Sequence, residues 1–496
     1  MIFSTPTFLF LFLPPVLLTA FFLKKEAQNL FLLLVSLLFY AWGEGALVVV
    51  LLASALMNHI FGLAIDAGRR PQRKKIILAA AVVSNLVFLA VFKYAAFFAA
   101  NVNPLLRALG FTDLKIFSRH LPLGISFFTF MAIAYLIEVY RQACPVEKNI
   151  LHTTLFITFF PAVLAGPIHR YSRFKKQLTE RQLSPELLAQ GIRRFIIGLG
   201  KKVLLADTLA KTADQIFVIP TSGLTAGLAW LGAVCYALQI FFDFSGYSDM
   251  AIGLGKMFGF QIMENFNYPY LSRSIRDFWT RWHISLSNWL RDFLFLPLAY
   301  AISRRIPSDR LLGLRAESWS YYPSMFLTMF LCGLWHGPAW TFIAWGVYHG
   351  IFIMLERLAL AGLLKRLWLP LRSIYSLLII ICGWVLFRAA DLTRAAGYWR
   401  AMFGFGSGDG REYYPALYMD AKLFFFLGLG ILASTPLMAL AKSRYQIISG
   451  APSAALKPLM EAAFKILSTL LLMVILLASF MVLAQASYNP FIYFRF

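Results

Sequence analysis

The chain has 496 residues, of which 60% are hydrophobic, 16% aromatic and only 14% charged. Soluble domains average nearer a quarter charged, so a water-soluble enzyme is excluded and one polytopic membrane domain over residues 1–496 is indicated. The net charge of +23 would suggest nucleic acid in a soluble chain. Here Lys and Arg gather in short loops between apolar runs, the positive-inside pattern, so no nucleic-acid partner is expected; the excess can also draw an anionic cytosolic donor or membrane lipid head groups.

In chain order, residues 2–23 make the first span, stopped by Lys24 and Lys25. It lacks a basic n-region and a small-residue cleavage site, so it reads as retained rather than as a signal peptide. Residues 30–42 and 46–65 read as a helical hairpin turning at 43–45. The basic stretch 69–75 is cytoplasmic by charge, 76–98 returns outward, and 121–140 comes back in to Arg141 and Lys148. Residues 155–168 contain FITFFPAVLAGPI, too short and too broken by Pro and Gly for a span, with basic loops on both sides. A re-entrant segment is expected, its irregular backbone buried in protein or lining a cavity. Residues 185–213 are amphipathic and basic, and read as a helix along the cytoplasmic interface.

Residues 224–242 span outward and lead into DFSGYSDMAIGLGKMFGF, 243–260. Asp243 and Asp249 there read as helix-to-helix hydrogen bonding rather than chemistry. Residues 264–293 are dense in Arg and Trp, hold His283 and belong by charge at the cytoplasmic side. Residues 325–335 rise to His336, 341–356 descend, 373–387 rise, 388–420 form an outer loop, 422–441 descend and 463–484 rise. The aromatic tail 486–496 is thereby left at the outer side. The fold class is all-α, with roughly eleven or twelve spans plus re-entrant and interfacial helices. Cys144, Cys235, Cys332 and Cys382 form no CxxC, and no carboxylate or cysteine stands at ligand spacing beside a histidine. Neither a metal nor a bound cofactor is expected.

The stretch LCGLWHGPAWTFIAWGVYHG, 331–350, carries the chemistry. An ionisable residue at membrane depth is costly and marks a functional candidate. Pro338 suits the first turn of a helix running toward residue 351, so His336 is expected at a break just before it. The positive end of that helix dipole would favour the neutral ring that a general base needs. The plain alternative is a packed histidine bonded to a neighbouring helix. His283 and His336 lie on segments that charge and length place near one cavity, one to take a proton and the other to orient. His349, thirteen residues beyond His336, falls on another face of a continuous helix. His59, His120, His152 and His169 lie near span ends, where solvated imidazoles are ordinary.

RWHISLSNWLRD around His283 and GLWHG around His336 resemble the paired motifs of the membrane-bound O-acyltransferases. FFPAVLAGPIHRY, DFSGYSDMAIGLG, ENFNYPY, FWTRWHISLS and GWVLFRA are similar to those of its bacterial polysaccharide branch, whose members acetylate alginate or peptidoglycan. The resemblance implies a central tunnel through a many-helix bundle, His336 as the catalytic histidine and His283 as the family's second position. It implies transfer of an acetyl group from a cytosolic thioester, acetyl-CoA as co-substrate, to an exported cell-envelope polysaccharide, with a periplasmic esterase-like partner, in the bacterial inner membrane. Arg276, Arg281, Trp282 and Arg291 are the candidate donor-binding residues. Residues 294–310, LFLPLAYAISRRIPSDR, stand where many relatives carry a GGNR-like stretch, which leaves the glycan open. The tail YNPFIYFRF resembles that of the small membrane subunit of teichoic acid D-alanylation, and by that resemblance Tyr493 is the acyl-carrying nucleophile; the alternative is an interfacial aromatic anchor. A polytopic transporter or flippase is the rival class. It predicts an internal repeat, which the sequence lacks, and gives no reason for the two histidine motifs.

Overall fold

Helices account for nearly all the ordered backbone of the computed structural model, which describes residues 1–115, 120–306, 310–311, 314–437, 440, 457–485 and 491. A π-helical turn opens the chain and leads into α1, Leu13–Phe22. Then come α2, Lys25–Glu44; α3, Val48–Ala67; α4, Pro71–Lys93; α5, Ala95–Ala108; and α6, Ile125–Tyr140. After α7, Ile150–Thr158, the helix stops. Residues 159–169 run without helix yet are all buried, as an irregular segment at membrane depth requires. The chain resumes as α8, Tyr171–Glu180; α9, Pro185–Gly200; α10, Asp207–Val218; and α11, Ala226–Met257. Short helices α12, Ile275–Arg281, α13, Ile284–Leu290, and α14, Leu296–Ser303, precede a two-residue β pair, Arg310–Leu311 with Leu314–Arg315. The rest is α15, Ala316–His336; α16, Trp340–Leu355; α17, Ala361–Arg366; α18, Leu369–Arg388; α19, Leu392–Met402; α20, Ala421–Ala433; and α21, Lys457–Gln485.

Among the described residues, six stretches are long and apolar enough to cross a membrane: Ala27–Ala67, Pro71–Lys93, Ala226–Met257, Trp340–Arg366, Leu369–Arg388 and Leu459–Gln485. Three shorter apolar helices are Thr7–Phe22, Ile125–Tyr140 and Ala421–Ala433. The two helices expected over 30–65 are α2 and α3, and the turn expected at 43–45 falls at Gly45, whose φ of +55° suits glycine. The chain is an all-α, multi-pass membrane protein.

The centre is α11, in which every residue of 235–255 is buried, with α6 buried over 125–136. The outside is α21, apolar and almost wholly exposed, as a lipid-facing helix must be. The basic run expected along the interface packs instead on α11. Arg194 and Lys201 bond Asp249 at 2.8 and 2.7 Å, and Lys202 reaches Asp243 at 2.8 Å and Asp207 at 2.6 Å. The aspartates therefore do fix helix to helix, using partners that sequence reading had placed at the surface. Lys202, the most buried of the three, has its cost of burial offset by two carboxylates.

Candidate functional site

α15 and α16 form a tight hairpin because both carry glycine where they cross. A Cβ on Gly346 would lie 2.2 Å from the Met329 carbonyl oxygen, and one on Gly333 2.4 Å from that of Phe342. His336 is the last residue of α15, and α16 begins at Trp340 rather than at Pro338. The dipole expectation is therefore corrected: the nearest helix end is the negative end of α15, not the positive end of the next helix. A lysine amine sits there. Lys93, the last residue of α4, donates to the carbonyls of Trp335 at 2.7 Å and His336 at 3.1 Å. The His336 ring is 4% exposed, packed among Trp335, Trp345 and Phe387 with ring centres 4.9, 4.9 and 5.2 Å away.

His283 packs near the same indole. Its ring centre is 6.1 Å from that of Trp335, and it is fully buried. It caps α13 with φ +45° and ψ +52°, the left-handed region, which costs a β-carbon-bearing residue about 1–3 kcal/mol and gathers at functional sites. Asn265 holds it there. The Asn265 Oδ1 accepts from the Ser285 backbone N–H at 3.1 Å and from Ser285 Oγ at 2.9 Å, and His283 Nδ1 lies 3.2 Å from it. A backbone N–H can only donate, so that amide atom is the oxygen. Nδ1 of a neutral His283 must then carry the hydrogen, which puts the lone pair on Nε2. Asn265 Nδ2 donates onward to Ser248 Oγ at 3.2 Å.

Sequence reasoning passed over several of these residues. His349 is not on a different face of one helix, because the chain breaks at 337–339. It is fully buried beside Trp345, 5.1 Å between ring centres, one ring beyond His336. His59 and His169 are not solvated either. His59 bonds Thr153 at 3.0 Å, and His169 lies among Phe156, Phe159 and Phe174. Asn265 is legible only as a polar residue three before Tyr268, itself at positive φ.

A cavity of about 760 Å³ opens between the irregular segment with α8 on one side and α13 on the other. Its cations are Arg170, Arg173, Lys176, Arg181 and Arg291, against the carboxylates Glu180 and Asp292, with Phe159, Phe174, Phe260 and Trp289 between them. Burial pushes the Asp292 carboxyl up, but hydrogen bonds from Arg291 and Arg170 outweigh it and hold it below the usual range. Arg181 stacks on Phe260 at 4.5 Å, and burial brings its guanidinium down to about 10, still cationic at neutral pH. Its Nε and Nη2 have no hydrogen-bond partner among the described residues. Ser285 lines the inner wall, so hydrogen bonds run from the cavity through Asn265 to His283.

Of the expected donor residues, only Arg291 lines this cavity. Arg276 is exposed beside the Glu356 that binds its backbone N–H, and Arg281 pairs with Asp277 at 2.7 Å. Trp282 is sealed in the core against Phe266, Phe278 and Trp384. Tyr493 lies outside the described residues. Phe491, two residues before it, is 1% exposed, stacked on Tyr247 at 4.7 Å and 5.9 Å from Phe244, whose ring meets His283 edge-on at 4.7 Å.

Residues 138–385 match the model of the membrane-bound O-acyltransferase family. The chain is 38% identical to the probable alginate O-acetylase AlgI of Pseudomonas aeruginosa, over the whole of both chains. It is 35% identical to the peptidoglycan O-acetyltransferase of Helicobacter pylori, over 82% of this chain and 80% of that one. It is 32% identical to the teichoic acid D-alanyltransferase of Bacillus subtilis, over 52% of this chain and 65% of that one.

Proposed function

The chain belongs to the membrane-bound O-acyltransferase family and is an O-acyltransferase; from that premise we propose that it moves an acetyl group from cytosolic acetyl-CoA across the bacterial inner membrane to a hydroxyl of an exported polysaccharide. The observation that carries this reading is the pair His336 and His283, both buried against Trp335, with a basic cavity leading to the second of them. The relatives named for alginate and peptidoglycan acetylation support a cell-envelope glycan of either kind as acceptor.

In this reading the donor's phosphates meet Arg173, Lys176 and Arg181. Arg181 adds its charge from the cavity wall, and charge-assisted hydrogen bonds to phosphate are the strong ones. The thioester arm points inward past Ser285, along the tunnel that the family membership implies. His336 takes the proton of the attacking hydroxyl, while His283, held rigid by Asn265, positions the reactants beside it. Two reactants held in a dry, aromatic-lined space gain much of their acceleration from orientation alone.

Tyr493 is the proposed first acceptor, supported by the seat of Phe491 one ring away from His283. Its phenol oxygen attacks the thioester carbonyl, its proton passes to His336 and the C–S bond breaks. The leaving thiolate recovers the proton as CoA thiol. A hydroxyl of the polysaccharide, or of a periplasmic esterase-like partner that serves it, then attacks the phenyl ester and the phenol is restored. A phenol of pKa near ~10 is a better leaving group than a sugar alcohol, which suits a relay. The test is purified protein in liposomes given labelled acetyl-CoA, with mass analysis of the C-terminal peptide. An acetyl group on Tyr493, lost in Tyr493→Phe together with glycan acetylation, is the expected result. Full acetylation by Tyr493→Phe would remove the relay, and no turnover of acetyl-CoA by the wild type would remove the donor assignment.

A further inference from the structure

Lys93 and Tyr94 close the end of the helix that carries His336. The last carbonyls of any helix lack intrahelical partners. Here the chain after His336 turns extended at Gly337, φ −171°, and supplies none. Tyr94 Oη donates to the Leu334 carbonyl at 2.7 Å, and Lys93 Nζ to those of Trp335 and His336. Two adjacent side chains from the α4–α5 junction thus cover three successive carbonyls at the site.

The Tyr94 contact is a sufficient structural cap, but the Lys93 contact is a costly one. Lys93 ends an apolar helix of spanning length, is 9% exposed, and its hydrogen-bond partners are all neutral: two carbonyls and Ser126 Oγ at 3.3 Å. Removing an ammonium from water costs several kcal/mol, which a neutral donor at the same place would not. What the charge adds is local. The end of α15 carries a partial negative charge of about half a unit, and Lys93, when protonated, opposes it. Lys93 Nζ also lies 5.9 Å from the ring centre of Trp335, the indole that both histidines pack near.

We propose that Lys93 is a positioning residue for acyl transfer: it fixes the backbone of Trp335 and His336, and with it the aim of the imidazole, and its charge balances the helix end against which His336 works. The proposal rests on the reading of His336 as the base. Lys93→Met removes donor and charge, Lys93→Gln keeps a donor without charge, and Lys93→Arg keeps both. With acetyl-CoA turnover as the readout, Lys93→Met is expected to lose about 10²-fold in kcat, the cost of a misplaced group, with KM for acetyl-CoA unchanged. Lys93→Arg should recover most of that loss and Lys93→Gln little of it. The Arg and Gln variants decide the matter if Lys93→Met does not fold. Tyr94→Phe should lower the melting temperature without separating kcat from KM in this way. Equal kcat for the Gln and Arg variants would reduce Lys93 to a cap and overturn the role of its charge. Normal kcat in a folded Lys93→Met, in a preparation where His336→Ala is dead, would overturn the proposal alone. Normal turnover by His336→Ala would overturn it together with its premise.

Discussion

The two histidines of the site are held from opposite directions. His283 is gripped by its ring: Asn265 faces Nδ1, Ser285 braces Asn265, and a strained backbone conformation puts the ring there. His336 is gripped from behind, through its own carbonyl and that of Trp335, with its ring among aromatic faces. A ring fixed by a hydrogen bond has its tautomer chosen before substrate arrives, which suits orientation. The ring aimed by its backbone among aromatic faces is, in the proposed reaction, the one that takes the proton.

That contrast can be broken at either end. The largest loss is expected for His336→Ala, about 10²–10⁴-fold in kcat, the range for a positioned general base. His283→Ala should cost less, about 10²-fold, the low end of that range. Asn265→Ala should cost nearly as much, because it releases the ring and leaves Ser285 without its acceptor. The two act as one unit, so the double variant should be little worse than either single one; additive losses would show that Asn265 works by another route. Arg181→Ala should raise KM for acetyl-CoA about tenfold with kcat unchanged, the worth of a charged hydrogen bond, and should flatten the salt dependence of KM. An unchanged KM would take the donor's phosphates elsewhere. Gly346→Ala should act on stability first. Its methyl would meet the Met329 carbonyl at 2.2 Å, and such overpacking costs about 1–3 kcal/mol, read as a lower melting temperature.

Much of this architecture could be read from composition and motif. Long apolar runs and basic loops define a multi-pass helical chain. The broken 155–168 stretch is buried and irregular from 159 onward, although 155–158 still belong to α7, and Asp243 and Asp249 read correctly as helix-to-helix ties. What escaped was whatever depended on two distant segments meeting. Lys93 was absorbed into an apolar span, although a lone lysine at membrane depth is itself a signal. His349 was discounted by a helical-wheel argument that fails because the helix stops at His336. Asn265 has no motif of its own, since its meaning comes from the turn that folds it under His283. The four donor candidates, three arginines and Trp282, lie close to His283 in sequence, but the cavity is floored by α8 and the irregular segment, more than a hundred residues away in sequence for most of its cations. Charge density places a segment beside the membrane surface; it does not say which side chains face one another.

The account stands most directly on whether His336 takes the proton in the first chemical step. Purified wild type and His336→Ala, matched for melting temperature, are mixed with excess acetyl-CoA, and release of free CoA thiol is followed through the first turnover. The account predicts a rapid release by the wild type, and almost none by His336→Ala with acetyl-CoA still bound. Thiol release at the wild-type rate by His336→Ala would contradict it.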